Sequence, residues 1–197
     1  MIKVILKYSL LIYSFVFLAL CPLSIQSGIV PQYISERMAK ITPDKDLLVE
    51  YLASKYSKST SFISEVVSAV YDHSERNGVD PTLVLALIEK ESEFNPKAES
   101  KMGAVGLMQV IPKYHKDKIA DATGASEKSI KSQDSRTALK HPVTNVTVGI
   151  QILAEYMSQS NTLKSALKKY SGSATNYVDS VFLLQKEMKR QTTPSKS

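Results

Sequence analysis

The sequence predicts an all-α fold, on three observations. Apolar residues recur at three- and four-residue steps from about residue 43 onward. Alternating strand patterns are absent, and only seven glycines interrupt the 197 residues. The expectation is one globular domain after an N-terminal signal or anchor segment. Its parts are 1–27, the signal peptide or membrane anchor; 28–60, a partly helical lead-in; 61–190, the working domain; and 191–197, a polar, flexible tail.

The elements follow in order. Lys3 and Lys7 precede an apolar run from Tyr8 to Ile25, and small residues follow at Ser27-Gly28, the layout of a secretory signal. A run of about 18 apolar residues also just spans a bilayer, so an uncleaved anchor stays open. Leu18-Ala19-Leu20-Cys21 is a poor lipoprotein signal, because Leu20 is bulky and Pro22 follows the cysteine. Either way the working part crosses a membrane, which predicts an exported protein.

Thr42-Pro43 opens a first helix through Leu47, Leu48, Tyr51 and Leu52. Phe62, Ile63, Val66, Val67, Val70 and Tyr71 form a second, which Asn77-Gly78 ends. Asp80-Pro81 supplies a cap and a first-turn proline for a third, running to about Ser92. Residues 95–112, with Asn95, two prolines and two glycines, read as loop. Helices resume at about 143–158, 161–170 and 174–190.

Composition excludes several classes. With 43% apolar and 22% charged residues the chain is too apolar to be disordered. A net charge of +6, of which the first 27 residues carry two, suits a polyanionic matrix but is no nucleic-acid-binding stripe. The single cysteine, Cys21, allows neither an internal disulfide nor a cysteine-built zinc site. His73, His115 and His141 stand at no metal-ligand spacing. No cofactor and no metal are expected.

One glutamate of the third helix stands on the wrong face. At about 100° per residue, Val84, Leu87, Ile88 and Glu91 share a narrow arc, whereas Glu89 and Lys90 point to the opposite side, where charges belong. A carboxyl on an apolar stripe is relieved by a raised pKa, which is what a general acid for glycosidic cleavage requires. The plain alternative is a helix-end glutamate that reaches water. In the loop that follows, Gly103 and Gly106 let backbone approach a ligand, and Ser100 and Gln109 offer neutral hydrogen-bonding groups suited to sugar.

Residues 91–112 read E-S-x-F-N-P-x-A-x-S-x-x-G-A-x-G-L-M-Q-x-x-P, and this pattern resembles the signature of the soluble lytic transglycosylase catalytic domain, the goose-type lysozyme-like group. His141-Pro142-Val143-Thr144-Asn145 resembles that family's D-P-x-x-N segment, with His141 in place of aspartate. Ala166-Leu167-Lys168-Lys169-Tyr170-Ser171-Gly172 resembles its A-L-A-A-Y-N-G segment, with Ser171 in place of asparagine. The resemblance covers about residues 70–185 and implies a lysozyme-like domain acting on peptidoglycan glycan strands.

It further implies that Glu91 is the sole catalytic acid/base, that Ser100 and Gln109 contact sugar near the scissile bond, that Met108 lines the cleft, and that Tyr170 packs near the catalytic carboxyl. The implied reaction cleaves the β-1,4 bond between N-acetylmuramic acid and N-acetylglucosamine. Glu91 protonates the glycosidic oxygen and then takes the C6 hydroxyl proton, closing a 1,6-anhydro ring.

Glycosidases more often use two carboxylates. Glu93 is rotated about 200° from Glu91 if the helix persists, and no spacing selects among Asp117, Asp121 and Asp134. A lysozyme-like hydrolase of the same bond therefore stays open, as do a non-catalytic peptidoglycan-binding module and a subunit of a secretion or conjugation apparatus. No nucleic-acid partner is expected, and membrane contact only through an uncleaved N-terminal segment.

Overall fold

The computed structural model describes residues 44–126, 131–172 and 175–192. The expected signal or anchor segment 1–27, the lead-in up to residue 43 and tail residues 193–197 lie outside the described residues. Among the described residues are eight α-helices, a short 3-10 turn at Pro112–Tyr114, and no strand beyond the isolated bridges Glu99–Val105 and Val105–Val110. None of these helices is long and apolar enough to cross a membrane.

Helix α1 (Lys45–Tyr56) starts two residues later than Thr42-Pro43 suggests, because Asp44 takes the cap. Its carboxylate accepts from the N–H groups of Asp46 at 2.8 Å and Leu47 at 3.3 Å. Helix α2 (Thr60–Asn77) opens on Ser59 and closes on Gly78 in the left-handed conformation, the stop its Asn-Gly pair predicts. Helix α3 (Pro81–Ser92) begins as expected, with Asp80 accepting from Thr82 N–H at 2.8 Å and Pro81 in the first turn.

Two helices were not anticipated, α4 (Lys116–Thr123) and α5 (Ser132–Leu139). Each has eight residues and no side-chain bond at its N-cap. Ile119 and Ala120 in one, and Leu139 in the other, are the buried apolar residues, too few for a helical period to show. Helices α6 (Pro142–Ser158), α7 (Leu163–Tyr170) and α8 (Tyr177–Thr192) lie close to their expected places. A capping box between Thr162 and Ser165 starts α7. Helix α8 continues two residues past 190: Thr192 is buried, and its carbonyl accepts from Asp44 N–H at 3.1 Å, tying the end of α8 to the start of α1.

Helix α3 is the hub. From Leu83 to Ile88 no residue is more than 2% exposed. It packs chiefly on α8 and α2, while α2 packs on α6 and α6 on α7 and α4. Leu48, Ile63, Leu85, Leu87, Leu153 and Val181 are fully buried in the shared core. Each such side chain contributes roughly 1.5–3 kcal/mol relative to exposure. This burial fixes the direction in which the last turn of α3 points its side chains.

Candidate active site

Glu91 lies in that last turn, and the structure places its carboxyl where the apolar stripe of α3 meets α8. The Tyr177 hydroxyl, on the first turn of α8, donates to Glu91 Oε1. Burial is the largest influence on Glu91 and pushes its pKa up. The Tyr177 bond and the nearby Lys90 charge pull the other way without cancelling it. The Tyr170 phenol, on α7, lies within electrostatic reach of Glu91, and burial pushes its own pKa well up. A half-buried carboxyl with a raised pKa and a neutral donor for its partner is suited to hold a proton and hand it over.

Tyr177 was missed by the sequence reading. The available signal was the one that singled out Glu91. Tyr177, Val181 and Met188 continue one buried stripe along α8, and a buried phenol requires a partner for its O–H.

Glu89 corrects the face argument. It is 5% exposed, more buried than the periodicity allows, and Lys55 Nζ of α1 donates to its Oε1 at 2.6 Å. The reason is that the Lys55 side chain reaches from α1 over part of the expected outer face and covers Glu89. Of the two charges placed on that face only Lys90 is exposed. Tyr56, whose phenol is pushed up by burial and by the Glu89 carboxylate, stacks on Phe94 with ring centroids 5.2 Å apart.

The loop after α3 leaves the helix through two consecutive left-handed residues, Glu93 (φ 50°) and Phe94 (φ 58°), the latter fully buried. Its path is set by side chains on both sides. Ser92 Oγ donates to the carbonyls of Ile88 at 3.0 Å and Leu107 at 2.8 Å. Asn145, fully buried on α6, accepts from Met108 N–H at 2.7 Å and donates to the carbonyls of Val105 and Leu139 at 2.9 and 2.8 Å. Gly106 makes room for it: a Cβ there would stand 2.2 Å from Asn145 Nδ2, at a φ of 80°.

The remaining expected residues divide. Met108 is completely buried, with Gly149 of α6 so close that a Cβ would meet its sulfur at 2.4 Å. It reaches the site through its carbonyl, which accepts from Tyr170 Oη at 2.8 Å. Gln109, at φ 47°, donates through Nε2 to the carbonyls of Ala98 and Gly106 at 3.2 and 3.0 Å, leaving its Oε1 as the group to offer a ligand. Gln109 and Tyr170 line a common groove of about 250 Å³ with Ile111, Tyr114, His115 and Tyr156. Ser100 is exposed and accepts from Ala104 N–H at 3.0 Å, closing the Ser100–Ala104 turn; it does not line that groove.

The open candidates for a second carboxylate lie elsewhere. Glu93 is exposed and acts electrostatically on Tyr56, on the α1 side. Asp117 is paired with Lys118 at 3.0 Å, Asp121 accepts from Gln151 Nε2 at 3.2 Å, and Asp134 is exposed on α5. Among the described residues no group of three His, Cys, Asp or Glu side chains is placed to hold a metal ion.

Residues 68–181, more than half of the chain, match the family model described as the transglycosylase SLT domain. The chain is also similar to membrane-bound lytic murein transglycosylase C of Mannheimia succiniciproducens, 37% identical over 87 residues, which is 44% of this chain and 23% of that protein. The protein of the same name from Actinobacillus pleuropneumoniae is 37% identical over 81 residues, 41% of this chain and 21% of that one. In Glaesserella parasuis its counterpart is 38% identical over 80 residues, again 41% and 21%. The chain thus spans under a quarter of the length of the curated relatives it matches.

Proposed function

This chain belongs to the transglycosylase SLT domain family, and from that premise we propose that it is a peptidoglycan lytic transglycosylase with Glu91 as its acid and then its base. The observation that carries the proposal is the Glu91 carboxyl itself, half-buried on the α3 stripe, raised in pKa and held by a phenol instead of a cation.

The proposed mechanism is the one the family resemblance implies, and that arrangement suits it. Protonated Glu91 gives its proton to the glycosidic oxygen between N-acetylmuramic acid and N-acetylglucosamine as the bond to C1 breaks. The neighbouring N-acetyl group of the substrate stabilises the positive centre. Ionised Glu91 then takes the proton of the muramoyl C6 hydroxyl while that oxygen bonds to C1, so the product ends in a 1,6-anhydro ring and the carboxyl is protonated again. Asp117 and Asp121 are engaged with other side chains, Asp134 is exposed, and none of the three is among the groups that act on Glu91, which favours this one-carboxylate route over delivery of water by a second acid.

Gln109 and Tyr170 are proposed to line the glycan groove, Met108 to shape it from beneath through its carbonyl, and Ser100 to contact sugar at its outer edge. The proposal extends to an exported protein, periplasmic or secreted, with 1–27 as signal or anchor and 61–190 as the catalytic unit. It also extends to service of a secretion or conjugation apparatus.

Mass spectrometry of muropeptides released from purified peptidoglycan tests the reading. Products one water lighter than hydrolytic ones, ending in 1,6-anhydro-N-acetylmuramic acid, are expected. Reducing ends identify a hydrolase, and no release by the purified chain refutes the enzymatic reading.

A further inference from the structure

We infer that the groove between α7 and the first turn of α8 is a second recognition site for the same substrate, in which Lys164 and Lys168 hold carboxylates of the peptide stem that muramic acid carries. The inference rests on the peptidoglycan reading proposed above and adds the part of the substrate that the glycan groove does not take. The α7–α8 groove has a volume of about 410 Å³, within the range of ligand pockets. Lys164 and Lys168 of α7 line one wall, and Asn176, Tyr177 and Asp179 line the other.

Tyr177 sets this groove beside the reaction, because the side chain that lines it also donates to Glu91 Oε1. The stem hangs from the same sugar ring whose C1 loses the glycosidic oxygen. A site for the stem must therefore lie within about a sugar's breadth of Glu91, and this groove does.

The charges point to an anion. Lys164 and Lys168 are both exposed and stand one turn apart, where like charges repel. Helix α7, Leu-Lys-Ser-Ala-Leu-Lys-Lys-Tyr, holds no acid to relieve them, and neither ammonium has a hydrogen-bond or ion-pair partner among the described residues. By contrast Lys55, Lys118, Lys140 and Lys189 each meet a carboxylate at 2.6 to 3.0 Å. Lys169, their neighbour on α7, donates to the Gln159 carbonyl at 3.2 Å. The segment that α7 resembles has alanine at the position of Lys168, so the fold does not call for this charge. Asp179 is the one acid among the lining residues; it stands on the α8 wall and so turns the anionic end of a ligand toward α7.

Exposed lysines gain little from each carboxylate and are screened by salt, so the effect is modest and falls on KM. The test uses the full chain on two probes, uncross-linked glycan strands with their stems and the same strands freed of stems by an amidase. The ratio of kcat/KM, stem-bearing over stem-free, is expected to fall about three- to tenfold in Lys164→Gln with Lys168→Gln, circular dichroism verifying the fold. Lys164→Arg with Lys168→Arg should keep the wild-type ratio. An unchanged ratio in the glutamine pair overturns the inference, and so does an equal fall in the arginine pair. Should the wild type release no anhydro ends from either strand, the enzymatic reading fails. Calorimetric binding of the two strands then still decides the groove: stem-dependent affinity lost in the glutamine pair supports it, and its retention overturns it.

Discussion

Helix α3 carries two carboxylates two residues apart, Glu89 buried and Glu91 half-buried, and they have been given opposite partners. Glu89 faces α1 and meets an ammonium, Lys55 Nζ, at 2.6 Å. Glu91 faces α8 and meets a phenol, Tyr177. The first arrangement answers a buried charge with a charge and cements two helices. The second leaves the charge unanswered, so burial raises the pKa and the group keeps a proton to give. The two carboxylates are thus set to different work by their partners: a cation ties Glu89 to α1, and a neutral phenol leaves Glu91 with its raised pKa.

The largest expected effect tests that division directly. Glu91→Gln should lower lytic turnover by about 10²- to 10⁴-fold, the usual weight of a general acid, with the helical spectrum intact. Its stability should move the other way. Because the folded state raises the Glu91 pKa above the ordinary 4.5, the associated stability is present below that value and is lost as pH rises through the raised folded value. The amide has no such loss, so the variant should be more stable than wild type at neutral pH and lose that advantage near pH 4. Equal denaturant midpoints at both pH values would mean that Glu91 carries no burial penalty, and the contrast with Glu89 would collapse.

The next test breaks the cemented side. Lys55→Met leaves Glu89 buried without its cation and should cost about 2 kcal/mol of stability. That is below the 3–5 kcal/mol of a fully buried pair, because a third of the Lys55 side chain is exposed. Removing both members, Lys55→Met with Glu89→Leu, should recover most of the loss. Turnover per folded molecule should stay near wild type in both, as neither residue is among the groups that act on Glu91 or Tyr177. Guanidinium melts beside the muropeptide assay separate the two readouts. A turnover loss as large as that of Glu91→Gln would show that the two carboxylates act as one unit.

Much of this contrast was legible from the sequence, and the illegible part has one physical source. Caps and stops are local chemistry, so Asp80-Pro81 and Asn77-Gly78 set the ends of α3 and α2 correctly. The Glu91 stripe is also local, a matter of period. The fate of Glu89 is not, because period tells which face a residue is on but not whether that face is covered. Tyr177 and Asn145 act on partners 86 and 37 to 40 residues away in the chain, which no window reaches. The motif loop named the right segment, yet the amide hydrogens of Gln109 and the side chain of Met108 turn inward to hold its shape. Helices α4 and α5 escaped notice because eight residues with one or two buried apolar side chains give too little pattern.

The smallest effect concerns how the two sides are propped up. Helix α3 starts on a satisfied cap, with Asp80 Oδ1 accepting from Thr82 N–H at 2.8 Å and from Thr82 Oγ1 at 2.6 Å. Helix α6, whose Asn145 clamps the loop, starts on His141, and that side chain makes no capping bond. Aspartate, the residue the resemblance calls for there, would accept from an N–H of the first turn and complement the helix dipole. His141→Asp should therefore add about 1 kcal/mol and raise Tm by about 2–4 °C for a domain of this size. Turnover should stay unchanged, since Asn145 already holds its three bonds. A gain in turnover along with Tm would mean instead that the loop clamp is loose in the native protein. In that case the rate would be limited by how firmly α6 holds the segment after Glu91, and not only by the acid on α3.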